Sequence, residues 1–304
     1  MAPLQFDVVP YRPDHGWDAH GLALVAGLMS AGALVLGYVA SFLSQWLVLA
    51  MLPAALAGGG LGALGAYSIE RGRLRHPLIA GVAGLLAGCT AVVLMHFFDY
   101  QRFLGDAPPQ VQAVFLEGRG FLGYMDWQAQ VGVQLADVNN HNPQEVANLG
   151  YWGSYAYWVF EMAAAALIAG YIMRFRASLP FCTRCKAWKT ERILGGFNTY
   201  PGVANLSPEK AVTILSTGAV SRFAELEDAG PQPATKLHWS PLTLRLAECP
   251  NCKQEAPIEL RLEELAKGYQ GRRLIRTIAH VTYPGEALSV FEGLFADKVR
   301  SEYV

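Results

Sequence analysis

The chain has 304 residues, 52% of them apolar and only 16% charged, a balance shifted from soluble domains towards membrane proteins. Its net charge of −1 conceals two halves of opposite sign: residues 1–173 carry six Arg and no Lys against eleven acids, and residues 174–304 carry eighteen Lys or Arg against fourteen. The second half's surplus of +4 is too mild to argue for a nucleic-acid partner, and five cysteines over this length do not suggest a disulfide-dense secreted scaffold.

Residues 1–20 hold Asp7, Asp14 and Asp18 against Arg12, without the positive start and short apolar core of a cleavable signal, and are expected to form a cytoplasmic tail. The 47 residues from Gly21 to Tyr67 contain no charged side chain. A helix crossing ~30 Å of hydrocarbon needs about 20 residues. This run therefore reads as two spans, 21–43 and 46–67, broken near Ser44, Gln45 and Trp46, with a kink expected at Pro53. Arg71, Arg73 and Arg75 follow in a short loop, and 77–98 reads as a third span. Gly58 and Gly62 in the second span, with Gly81, Gly84 and Gly88 in the third, lie at the helical spacing that lets helices approach closely in lipid, within one bundle or at a homodimer seam. Cys89, alone in this run, reads as a small core residue.

Residues 99–150 are too many for a plain connector and hold six acids against two Arg, with Phe115, Phe121, Tyr124 and Trp127 as an aromatic middle. Short helices on an extracytoplasmic membrane surface are the expectation. Tyr151, Trp152, Tyr155, Tyr157 and Trp158 make an interfacial belt that opens a fourth helix over 151–176, closed by Arg174 and Arg176. Arginines thus lie after spans two and four, and the acidic loop lies between spans three and four. The positive-inside rule then places both termini in the cytoplasm of a bacterial inner membrane. Glu161 is an acid deep in the fourth span, costly unless it faces the bundle or a water pocket. With His96 and Asp99 near the outer end of span three it forms a candidate intramembrane polar site, for an ion or proton relay or a shared metal. The alternative is a hydrogen-bonded acid that steadies the Tyr and Trp groups of the belt.

The polar part runs over 179–304. Ser207 before Pro208 and Glu209 signals a helix start, with apolar periodicity to about Glu227. Residues 242–247 and 257–262 alternate as two strands of a hairpin; 273–281 reads as a further strand and 285–295 as a last helix. Cys182-Thr-Arg-Cys185 ahead of this material and Cys249-Pro-Asn-Cys252 between the two hairpin strands are C-x2-C knuckles of the kind that hold a tetrahedral metal in four thiolates. Thiolates need a reducing compartment, which agrees with the orientation read from the arginines.

The knuckles beside a hairpin resemble the zinc-ribbon class, and the likeness covers only the residues around Cys182, Cys185, Cys249 and Cys252. It implies a structural zinc on all four thiolates. The 63 residues between Cys185 and Cys249 exceed a minimal ribbon, so they contain an insertion or the knuckles close a larger domain. Rubredoxin-type iron and a dithiol redox pair are the rivals; rubredoxin knuckles usually carry Gly where Lys186 and Lys253 stand here. The whole resembles bacterial multi-pass membrane proteins with a short zinc ribbon after their last helix, a likeness of architecture that brings no activity. The expected fold is an α-helical membrane protein of four transmembrane helices with a small α+β zinc-ribbon-like cytoplasmic domain. No nucleophile triad, paired-carboxylate motif, dinucleotide fingerprint or P-loop is present, so the chain leans away from an enzyme. The expected function is a membrane anchor whose zinc-stapled domain docks a protein partner, as part of a complex or a homo-oligomer; the alternative is a small transporter or channel subunit using Glu161, His96 and Asp99.

Overall fold

The computed structural model describes residues 5–44, 51–136, 146–199, 207–225, 240–267 and 273–295. Gln45, Trp46, Asn142, Pro143, the end of the expected helix at Glu227 and the loop after it lie outside the described residues. The chain divides into two units, Asp14–Ser178 and a second made of Met1–Pro13 with Leu179–Val304.

The first unit is built on four helices long and apolar enough to cross a membrane: α1 (Ala19–Leu43), α2 (Leu52–Gly72), α3 (Pro77–Asp106) and α6 (Gly150–Ala177). Asp18 caps α1 by accepting a hydrogen bond from the Gly21 N–H, and Pro77 opens α3 behind the capping side chain of His76. Pro53 does not kink α2. It sits in the first turn, where its missing N–H has no helical partner to lose. Helices α1 and α6 each pack against both α2 and α3. The helix contacts are made by small residues: a side-chain carbon at Gly58 would lie 2.7 Å from the Ala165 carbonyl oxygen, and one at Gly84 2.8 Å from that of Ala169. Gly62 and Gly88 likewise abut Ile172 and Ala166, so the glycines serve close packing inside this bundle. Large apolar side chains point the other way, as Leu34, Val35, Leu86, Val159, Phe160 and Leu167 are all exposed. Cys89 is partly buried in α3.

Helix α3 runs past Phe98 to Asp106, because Tyr100 and Leu104 are buried against Phe115 and Tyr124 of the segment that follows. That segment is α4 (Pro109–Val114), a π-helical turn (Phe115–Arg119) and α5 (Gly120–Val131), succeeded by two short paired strands, β2 (Gln134–Ala136) and β3 (Val146–Asn148). The expected short helices are present between the third and fourth long helices.

The second unit is a five-stranded antiparallel sheet. Its strands are β1 (Val9–Pro10), β6 (Thr190–Thr199), β7 (Ser240–Glu248), β8 (Ile258–Lys267) and β9 (Arg273–Tyr283), in the order β1-β9-β8-β7-β6. A two-stranded hairpin, β4 (Phe181–Cys182) with β5 (Ala187–Trp188), precedes it. Strands β7 and β8 pair as the expected hairpin, with Leu244 opposite Leu262 and Leu246 opposite Leu260. These leucines form one buried face, covered by α7 (Pro208–Thr217) and α8 (Ala287–Phe295) through Ile214, Leu215, Leu288 and Phe291. Ser207 caps α7 as its sequence suggests, accepting from the Lys210 N–H at 3.2 Å. The helix stops at Thr217, short of the expected Glu227, where Gly218 adopts the left-handed conformation (φ 74°) that ends helices, and a 3-10 segment (Val220–Glu225) takes over.

The other sheet face is polar and cross-braced. Arg245 Nε donates to Glu263 at 2.7 Å, Arg261 spans Glu191 at 2.7 Å and Glu263 at 2.9 Å, and Lys189 meets Glu259 at 2.6 Å. Burial pushes the Glu259 carboxyl up, and the Lys189 ammonium opposes that. The N-terminal segment is part of this unit. Val9 pairs with Thr282 and Pro10 with Val281, the Phe6 N–H donates to the Gly218 carbonyl at 3.1 Å, and the Tyr11 ring stacks on His280 at 3.9 Å.

Candidate metal centre and a polar pair in the helix bundle

Register explains how knuckles 63 residues apart meet. Thr190 opens β6 opposite Glu248, the last residue of β7. The chain before β6, which carries Cys182 and Cys185, is therefore held beside the chain after β7, which carries Cys249 and Cys252. Each knuckle bridges two paired strands, β4 to β5 and β7 to β8. The intervening residues supply β6, α7 and β7, so the knuckles close one end of a larger sheet domain.

The four Sγ atoms all lie within 4.8 Å of one another, and no disulfide joins any of the five cysteines. A tetrahedron with ~2.3 Å metal–sulfur bonds has edges of about 3.8 Å; the Cys182–Cys252 Sγ separation is 3.6 Å. Cys249 is fully buried and Cys182 nearly so, beside Ala256, while Cys185 and Cys252 are half-buried. The residue after each second cysteine, Lys186 (φ 52°) and Lys253 (φ 40°), is left-handed. The backbone thus makes the tight knuckle turn without glycine, and the Lys253 N–H donates to the Cys249 carbonyl at 3.0 Å.

Four thiols this close cannot all titrate alike. Burial pushes the Cys249 thiol up, but the N–H groups of Cys252 and Asn251 outweigh it and bring it down to about 7. Burial and the three neighbouring sulfurs push the Cys252 thiol well above its ordinary value. The arrangement can bind a thiophilic cation with release of the remaining thiol protons, and it leaves that cation no position for water.

The bundle brings two of its three expected polar residues together. Glu161 is 4% exposed, and its Oε2 stands 3.3 Å from His96 Nε2. The Tyr157 hydroxyl donates to Glu161 Oε1 at 2.7 Å, and the Trp158 ring lies 5.7 Å from the imidazole. Asp99 belongs instead to a neighbouring group: its Oδ1 accepts from the Ser41 hydroxyl at 2.7 Å and lies 3.7 Å from Arg102. Among the described residues, the four cysteines are the only His, Cys, Asp or Glu group spaced to hold a metal, so a shared metal at Glu161 and His96 gains no support. Tyr157 is one of the belt residues that the alternative reading of Glu161 has it steady; Ser41 and Arg102 complete these contacts and went unrecognised in the sequence. The available signals were the i,i+3 spacing of Asp99 with Arg102 and the i,i+4 spacing of Tyr157 with Glu161.

No protein-family model, curated protein or solved structure matches this chain.

Proposed function

We propose that the chain is a multi-pass anchor in a bacterial cytoplasmic membrane whose second unit, stapled by structural zinc, docks a protein partner on the cytoplasmic side. The single observation that carries this reading is the closed set of four thiolate donors. Sulfur fills every position of a tetrahedral ion, which favours zinc and leaves it no bound water to activate. The metal then serves folding, and the domain is left with surface to offer: β6 lies at the sheet's edge, with Ile193 exposed there and Ile275 exposed on β9. Membrane insertion is supported by the four apolar helices and by their reversed polarity, with small residues inside and large apolar ones outside. The pairing of β1 with β9 agrees with an even number of crossings, since one strand precedes the first long helix and the other follows the last.

The test begins with native membranes solubilised in mild detergent and metal analysis of the purified protein. The expected result is one zinc per chain and a stoichiometric partner protein. Cys249→Ser should lose both, and should make the second unit protease-sensitive while the long helices remain in the membrane fraction. A Cys249→Ser protein with unchanged digestion pattern and unchanged partner would sink the proposal.

A further inference from the structure

The bundle holds one arrangement that an anchor does not require. Glu161 Oε2 and His96 Nε2 are both buried and face each other at 3.3 Å, yet neither is aligned in a hydrogen bond with any described residue. Glu161 Oε1 is already occupied by the Tyr157 hydroxyl. A carboxylate beside a neutral imidazole leaves one negative charge among apolar neighbours. One added proton removes it, whether it resides on nitrogen as an imidazolium–carboxylate pair or on oxygen as an acid beside an imidazole. We propose that Glu161 and His96 together form a single proton-binding site inside the helix bundle, independent of whether the second unit docks a partner.

The surroundings favour one dominant titration. Met95 and Met162, next in sequence to His96 and Glu161, belong to an apolar cluster with Ala40 of α1, Ala54 and Ala57 of α2, Val92 of α3 and Ala165 of α6. The other ionisable groups that face it are Tyr157 on α6, Asp99 and Arg102 on α3, and beyond them Tyr124 on α5. Asp99 lies within electrostatic range of both His96 and Glu161. Side-chain exposure falls from 22% at Asp99 to 13% at His96 and 5% at Glu161. That order marks the entry: a proton from water arrives at the end of the bundle where α3 finishes, and Asp99 stands at its mouth.

The measurement is pH-difference infrared spectroscopy on the full-length protein in lipid nanodiscs, in H2O and D2O. It reads a carboxylic C=O stretch or an imidazolium ring mode, according to which partner holds the proton. Wild type should show one deuterium-sensitive transition. Glu161→Gln and His96→Gln each remove one of the two groups that share the proton, and each should abolish the wild-type transition or displace it by about one to three pH units. Tyr157→Phe keeps both groups, removes only the hydroxyl on Oε1, and should displace the midpoint by less, which tests the site even if a more severe variant fails to fold. A wild type with no such transition between about pH 4 and about pH 9, or variants that all share its midpoint, overturns the proposal.

Discussion

Lys186 and Lys253 stand where a knuckle backbone favours glycine. At φ 52° and 40° each holds its Cβ against the following carbonyl, which costs roughly 1 kcal/mol per residue. Replacing Lys253 with Gly removes that strain at the expense of added freedom in the unfolded chain, so the net gain should be up to about 1 kcal/mol. It should appear as slower metal loss to a competing chelator, whereas Lys253→Val should accelerate that loss. Equal rates for all three proteins would show that the turn is unstrained. At this scale the cysteines were legible because a knuckle's spacing is local: two sulfurs three positions apart already share one ligand geometry. His96 beside Glu161 was legible as well; the partner that Asp99 takes instead was not. Ser41 meets Asp99 from 58 positions away, and only the folded bundle makes them neighbours.

Among elements, periodicity located what periodicity forms. The alternation Leu242-Thr-Leu-Arg-Leu and Ile258-Glu-Leu-Arg-Leu is the pattern of a sheet with one buried face, and both strands are present. Strand β6 escaped because it contains Gly195-Gly196, which reads as a break; Gly195 is needed there because the Phe295 ring of α8 presses on the backbone beside the bulge after Ile193. Helix α3 outran its hydropathy because aromatic packing, not lipid, sustains its last two turns. Strand β1 is two residues long, one of them Pro10, and nothing local marks it. Its docking has an acid-sensitive component. Burial, followed by the Arg261 charge, holds the His280 imidazole down at about 4 from an ordinary 6.5. The folded unit therefore binds fewer protons than the unfolded chain between these values. Its stability is fully present above about pH 6.5 and declines as pH falls towards 4, by on the order of 1–2 kcal/mol once partial exposure is allowed for. His280→Phe keeps an aromatic partner for Tyr11 and should abolish that share of the decline, measured as the difference in unfolding midpoint between pH 7 and pH 5. An identical difference in both proteins would locate the acid sensitivity elsewhere.

For the whole molecule, the proposed membrane orientation makes a two-sided prediction. A fluorescent protein that folds only in the cytoplasm should glow when fused after Val304, and a phosphatase active only outside it should work when inserted at Gly132, between α5 and β2. The reverse pattern would invert the topology; activity of one reporter at both sites would show that these two points share a side. The number of long helices was readable from apolar length, even with Glu161 inside the fourth, since ~30 Å of hydrocarbon fixes the residues needed. Some of their ends were readable too, Leu43 and Pro77 among them, whereas the far end of α3 at Asp106 was not, because packing and not hydropathy carries the hydrogen-bond ladder past Phe98.

The register of β1 with β9 also imposes an order of events in time. Val9 leaves the ribosome long before Thr282, yet the two are neighbours in the finished sheet. The strand must wait, unpaired, while every intervening helix is synthesised. Closing so long a loop carries an entropic cost that only the assembled sheet can offset. The edge of β9 is thus sealed by a segment synthesised well before it, and a nascent protein truncated between the two strands can never complete this sheet.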